Sequence, residues 1–158
     1  WSEPEDITGQ ITKTKWHKDF KFITSGRGIQ TRSGTLLHCM VNLKRGLHLF
    51  GSENHGKTWY LIDTPVKPGD ESKVAELADG SWMINSRANG KEKRFVHVSN
   101  DQGDSWESRA EPELIDPGCN GSIIRYSSIA DGEDQNRLLF SNAKNGKGKE
   151  KHDSQDQL

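Results

Sequence analysis

Along the chain, short runs of alternating or consecutive apolar residues are separated by clusters of Gly, Asn, Asp and Ser. GLHLFGS (Gly46–Ser52) and KRFVHVSN (Lys93–Asn100) are two such runs, and both read as strands. Three segments share a plan: SGTLLHCMVN from Ser33, DGSWMINSRA from Asp79 and DQNRLLFSNA from Asp134 each pass from a turn into an apolar run. The first two also share a Gly and then a hydroxyl residue, with Gly34 and Gly80 46 residues apart. A second marker is an octapeptide, SENHGKTW (Ser52–Trp59) and SNDQGDSW (Ser99–Trp106), of pattern Ser-x-Asp/Asn-x-Gly-x-Ser/Thr-Trp. Its Trp59 and Trp106 are 47 residues apart, so two independent markers give nearly one period. Four short strands per ~40–50 residues is the repeat of a β-propeller blade.

The octapeptide has a local rationale. Asn54 or Asp101 can bond backbone amides of its own loop as in an Asx-turn, and Gly56 or Gly103 can take positive φ at no steric cost. Trp59 or Trp106 can then pack inward as the chain enters the next strand. Ser52, Asn54, Gly56, Trp59, Ser99, Asp101, Gly103 and Trp106 are therefore expected to be structural rather than catalytic.

At this period the 158 residues make about three four-stranded antiparallel blades, whereas a closed ring takes about four to eight. The expected fold is all-β, an incomplete propeller over residues 1–143. WSEP at the start reads as the end of another octapeptide. Residues 144–158, KNGKGKEKHDSQDQL, are charged, of low complexity and too poor in apolar residues to fold. Either the chain is part of a larger ring, the preferred reading, or chains associate to complete each other's ring.

Composition agrees with short, half-exposed strands: 30% hydrophobic and 28% charged residues, sixteen Gly, five Trp and a mean hydropathy of -0.89. A net charge of -1 gives no reason to expect nucleic acid or an anionic membrane as partner. No apolar run approaches the ~20 residues of a membrane span. Cys39 and Cys119 make neither a disulfide framework nor a metal site and read as two separate, small, buried side chains. Six His lack the short spacing of metal ligands, so no metal is expected. His38, His48 and His97 lie in strand-like runs and read as packed or rim residues. Arg27 and Arg32 read as a solvated edge, and KEKR (Lys91–Arg94) as a solvated hairpin turn. No secretory leader is visible at WSEPEDIT, and the compartment stays open.

Several stretches together resemble the sialidases (neuraminidases), six-bladed propellers that release terminal sialic acid from glycans. The octapeptides are similar to the Asp-boxes of that family, a motif that other propellers share. GRGIQTRSGTLL (Gly26–Leu37) is similar to the family's second-blade strand. ESKVAELADGSWMINSRANGKEKRFVHVSNDQGDSW (Glu71–Trp106) resembles a segment in which a Glu precedes a Val-x-Glu-Leu strand, a Gly turn and an Asn-x-Arg strand. GCNGSII (Gly118–Ile124) resembles the family's Gly-Cys-Gln-Gly-Ser stretch, with Asn120 in place of Gln. The resemblance runs from Trp1 to about Asn142.

What the resemblance implies is retaining hydrolysis of sialosides on glycoproteins, glycolipids or oligosaccharides, with no organic cofactor. Sialic acid carries a carboxylate on its anomeric carbon, which would repel a carboxylate nucleophile. Sialidases use a Tyr instead, and a neighbouring Glu takes the phenol's proton. Glu71 matches that Glu, with Asp70 as the alternative. Three Arg grip the substrate carboxylate, bidentate geometry favouring Arg over Lys, and Arg87 matches the second of them. Asn85 is expected either to position that strand or to face the pocket, and Asn120 to touch the glycerol or aglycone side. Glu76 reads as structural.

The departures are as informative. No residue of the chain matches the family's first or third Arg, its Asp acid/base or its Tyr nucleophile. Neither Tyr60, in a rim turn, nor Tyr126, near GCNGS, has the nucleophile's setting, and NLKRGLHLF is short where relatives carry a longer loop. Groups that act as one unit lose nearly all their rate when some are missing, so the chain alone is expected to be inactive. The rival expectation is a non-catalytic Asp-box propeller module that binds glycans or proteins.

Overall fold

A computed structural model describes residues 3–143; the polar tail from Lys144 and the start of WSEP lie outside the described residues. A one-turn helix α1 (Thr8–Ile11) and a 3-10 turn (Thr14–Trp16) precede the first sheet. That sheet contains β1 (Lys21–Ile23), β2 (Ile29–Gln30), β3 (Leu36–Asn42), β4 (Gly46–Ser52) and β5 (Tyr60–Val66). The second contains β6 (Ser72–Glu76), β7 (Trp82–Ser86), β8 (Lys93–Ser99) and β9 (Glu107–Ile115), and the third β10 (Ser122–Ser127) and β11 (Arg137–Ser141). All pairings are antiparallel, in the orders β1-β3-β4-β5, β6-β7-β8-β9 and β10-β11, with β2 pairing β3 beyond β1. These are propeller blades: two of four rungs and the first two strands of a third, in an open array. None of the helices is long and apolar enough to cross a membrane among the described residues.

The period read from the sequence has a direct structural meaning. The segments from Ser33, Asp79 and Asp134 become β3, β7 and β11, the second strand of each sheet. Both octapeptides form the turn between third and fourth strands. One departure concerns the inner strand of the first sheet, which breaks into β1 and β2 around Thr24–Gly28.

The core follows from strand alternation. Leu37, Cys39 and Val41 of β3 point to one face and join Leu47, Leu49, Ile62 and Val66 against Val74, Trp82 and Ile84 of the second sheet. Each such aliphatic side chain, fully buried, contributes roughly 1.5–3 kcal/mol. Met40, on the opposite face of β3, packs with Phe50, Trp16 and Ile11 under the N-terminal turn. The buried Cys39 thiol is pushed up to about 12 by desolvation. Cys119 is exposed, so the expectation of two buried cysteines fails for the second. It lies in a loop before β10 whose backbone, not its side chain, faces the interior.

In the octapeptides, Ser99 Oγ accepts the Gly103 N–H at 2.7 Å and donates to Asp101 Oδ1 at 2.8 Å. Asp101 in turn accepts the Ser105 N–H at 2.9 Å, and these bonds, the Ser105 hydroxyl's first, hold its carboxyl down at about 2. The first copy repeats the scheme through Ser52 Oγ to Gly56 N–H at 2.8 Å and Asn54 Oδ1 to Thr58 N–H at 2.9 Å. Gly103 has φ +94°, and a Cβ there would sit 2.7 Å from Ile62 Cγ2. Trp106 packs on the main core and Trp59 lies 5.5 Å from Phe50. The Ser, Asp/Asn and Ser/Thr side chains of the motif are thus used within their own turns.

His97 of β8 is fully buried, with Nδ1 2.7 Å from Ser108 Oγ, and burial pushes it down to about 4. An unfolded chain protonates this imidazole near 6.5. The folded state therefore resists protonation: its stability is unaffected above pH 6.5 and falls as pH drops toward 4, by on the order of 3 kcal/mol. His97→Gln, which keeps a neutral partner for Ser108, is expected to flatten that part of the acid limb in urea unfolding curves measured from pH 7 to pH 4. An unchanged slope in the variant would assign the limb to other groups.

Candidate functional site

The inner strands of the three sheets run side by side in one direction. Thr24 Oγ1 donates to the Ser72 carbonyl at 3.1 Å, and Arg32 N–H to Glu76 Oε2 at 2.9 Å, near the two ends of β6. Lys73 Nζ donates to the Ser25 carbonyl and to Asn120 Oδ1 (3.0 Å for the latter), while Arg125 reaches the Glu76 carbonyl. Glu71 therefore marks one end of the array and Glu76 the other.

Register decides what meets Glu71. Ser72 pairs with Ser86 across β6 and β7, so the next residue out on each strand is Glu71 and Arg87. The backbone pairing continues one step, with Arg87 N–H donating to the Glu71 carbonyl at 3.1 Å. Beyond it, Arg87 Nη1 donates to Glu71 Oε2 at 2.6 Å. Both side chains are about three-quarters buried, 25% and 22% exposed, so the pair is open on one side only. The other Glu71 carboxylate oxygen accepts no protein bond among the described residues, and Arg87 Nε is buried without a partner. The acceptor and donor capacity open to a ligand therefore lies in that Glu71 oxygen and in Arg87 Nη2, which makes no protein bond among the described residues, rather than in the buried Nε.

Asp70, the alternative to Glu71, is buried and its carboxylate accepts from Asn89 Nδ2 in the β7–β8 turn. It is committed to holding that turn. Asn85 is buried and its Oδ1 accepts from Arg94 Nε. Asn120 lies across the inner strands from Glu71, bonded to Lys73 as above and to the Ser25 carbonyl at 3.4 Å. Glu76, at the far end of β6, accepts the Arg32 N–H and lines the cavity among the inner strands.

The cavity among the inner strands, about 410 Å³, is lined by Arg27, Arg32, Val74, Glu76, Ile123 and Arg125 and contains neither Glu71 nor Arg87. The geometric placement of Glu71 and Arg87 outweighs the cavity as a pointer to chemistry. A site on the end face of an open array has no opposite wall to enclose it.

Two expectations from the sequence need correction. Arg94, read as part of a solvated KEKR turn, is the second residue of β8 and is fully buried beside Asp116. Four consecutive charged residues look like a surface turn, and only contacts with distant residues reveal otherwise. Arg32 is not simply a solvated edge: it donates to Ser128 Oγ and lies 3.5 Å from Asp131. Lys73, which ties three inner strands, is not among the candidates its sequence context points to. Its signal was a Lys inside the otherwise apolar SKVAEL strand, and burial lowers its pKa. No group of three or more His, Cys, Asp and Glu is placed to hold a metal among the described residues.

Residues 1–153 match the BNR repeat-like domain. The chain is 34% identical over 155 residues to a sialidase of Micromonospora viridifaciens, covering 90% of this chain and 24% of that protein. A sialidase of Bacteroides fragilis is 29% identical over 158 residues, covering 94% of this chain and 28% of the other. Among solved structures, a Hadza microbial sialidase superimposes with a TM-score of 0.78 at 32% identity, over 90% of this chain and 29% of that one. The chain thus spans about a quarter of the length of these curated relatives.

Proposed function

Because the chain belongs to the sialidase family, with its BNR repeat-like domain, we propose that it forms the central blades of an exo-α-sialidase. The activity is retaining hydrolysis that removes terminal sialic acid from glycoproteins, glycolipids or oligosaccharides. The observation that carries this reading is the 2.6 Å contact between Glu71 and Arg87 at one end of the blades. A phenol of pKa ~10 is a poor nucleophile at neutral pH. In this reading Glu71 takes its proton, with Arg87 fixing which carboxylate oxygen stays free to do so. The Nη2 group of Arg87 grips the substrate's own carboxylate, placing the anomeric carbon beside the nucleophile. Asn120 bounds the pocket from the third blade. The partner Tyr, the Asp acid/base and two further Arg come from elsewhere in the whole protein. Further blades cover Phe20, Ile23 and Leu139, apolar side chains that stand exposed on the flanks of the array.

A fluorogenic sialoside tests this. The intact protein is expected to hydrolyse it, and the 158-residue chain alone to show no turnover above background. Turnover by the chain alone at the intact rate would refute the view that essential groups lie outside it. An intact protein that binds sialic acid yet never turns over would replace the enzyme by a glycan-binding propeller module.

A further inference from the structure

The two segments that carry Arg87 and Asn120 are held from beneath by one buried ion pair. Arg94 and Asp116 have side chains 0% and 1% exposed, with Arg94 Nη1 3.8 Å from Asp116 Oδ1. Arg94 Nε donates to Asn85 Oδ1, two residues before Arg87 on β7. Its Nη1 donates to the Cys119 carbonyl at 3.1 Å, one residue before Asn120. Asp116 reaches the same two segments from the other side. Its Oδ2 accepts the N–H of Ala88, immediately after Arg87, at 2.9 Å, and its Oδ1 accepts the N–H of Gly118 at 2.9 Å. The guanidinium carbon also lies 5.3 Å from the Phe140 ring of β11, in the third sheet.

Stability alone is a poor reason for such a pair, since two charges leaving water can lose more than their attraction returns, and apolar replacements of similar volume are often as stable. What apolar side chains cannot supply is direction. Four hydrogen bonds from one ion pair fix the backbone after Arg87, the side chain before it, and the loop leading to Asn120. These elements belong to different strands; besides Lys73, which pairs with Asn85 and donates to Asn120, Arg94 and Asp116 join them. We propose that Arg94 and Asp116 are positioning residues that set Arg87 and Asn120 relative to one another, and so set the width of the substrate site. The catalytic consequence rests on the sialidase reading above, whereas the positioning itself does not.

The double variant Arg94→Met with Asp116→Leu, made in the intact protein, replaces the pair by apolar volume. It is expected to melt below wild type because four partners lose their bonds, to raise KM for a sialoside at least about tenfold with a smaller change in kcat, and to speed amide exchange at least about tenfold at residues 87–90 and 118–121 but not within β8. Arg94→Lys is the second probe, in case the double variant does not fold. It keeps a cation for Asp116 but has no planar fork to reach Asn85 and Cys119 together, and the same changes in KM and exchange are expected at smaller size. Wild-type KM and wild-type exchange at both segments, in whichever variant folds, would overturn the proposal. Faster local exchange in a protein whose wild type has no sialoside turnover would uphold the positioning and remove only the sialidase reading.

Discussion

Glu71→Gln in the intact protein is expected to lower kcat for an aryl sialoside by about 10²–10⁴, the usual range for removing a positioned general base, while KM stays within a few-fold. Gln is nearly isosteric and can still accept from Arg87 Nη1, so the pocket and the β6–β7 register should survive. What it cannot do is take a proton. The nucleophile would then depend on its own ionisation, and with a phenol of pKa ~10 the residual rate should climb with pH through the range where wild type has levelled. That changed pH profile separates a lost base from a damaged fold, which would lower the rate at every pH alike. Wild-type kcat in Glu71→Gln would remove Glu71 from the chemistry.

Arg87→Lys should act on the other half of the pair. A guanidinium bonded to a carboxylate makes charge-assisted hydrogen bonds that contribute about 1.5–3 kcal/mol each. Lys keeps the charge but loses the fork, so kcat/KM is expected to fall about 10- to 100-fold, with most of the loss in KM. A substrate analogue with the carboxylate converted to an amide provides the control, because it already lacks the group that Arg87 would hold. If the variant loses as much on the amide as on the natural sialoside, Arg87 serves structure and not carboxylate recognition.

How far the sequence revealed this molecule depended on how local each cause was. Turn chemistry and strand alternation are local, so the spacing of Gly34 from Gly80 and of Trp59 from Trp106 reported the blade period, and β3 and β7 fall where that period puts them. The meeting of Glu71 and Arg87 was within reach for the same reason: one hairpin joins them, and its register brings together the residues beyond Ser72 and Ser86. Arg94 was out of reach. Its surroundings in sequence are charged, and its burial depends on Asp116, Cys119 and Phe140, residues that only the packing of β9, β10 and β11 brings near. Lys73 was hidden in the same way, because its partners Ser25 and Asn120 lie in loops beside the flanking strands, far from it in sequence. The break between β1 and β2 was invisible too, since nothing local shows Gly28 lying against the Leu37 carbonyl, where a Cβ would sit at 2.5 Å.

The most direct test is a crystal structure of the intact protein with an unsaturated sialic acid glycal, a planar mimic of the oxocarbenium-like state. The account predicts the ligand at the end of the blades marked by Glu71, with Arg87 donating to its carboxylate at about 2.7–2.9 Å and the Glu71 carboxylate beside its C2 face. A glycal bound with its carboxylate out of reach of Arg87, or lodged at the Glu76 end of the inner strands, would contradict it.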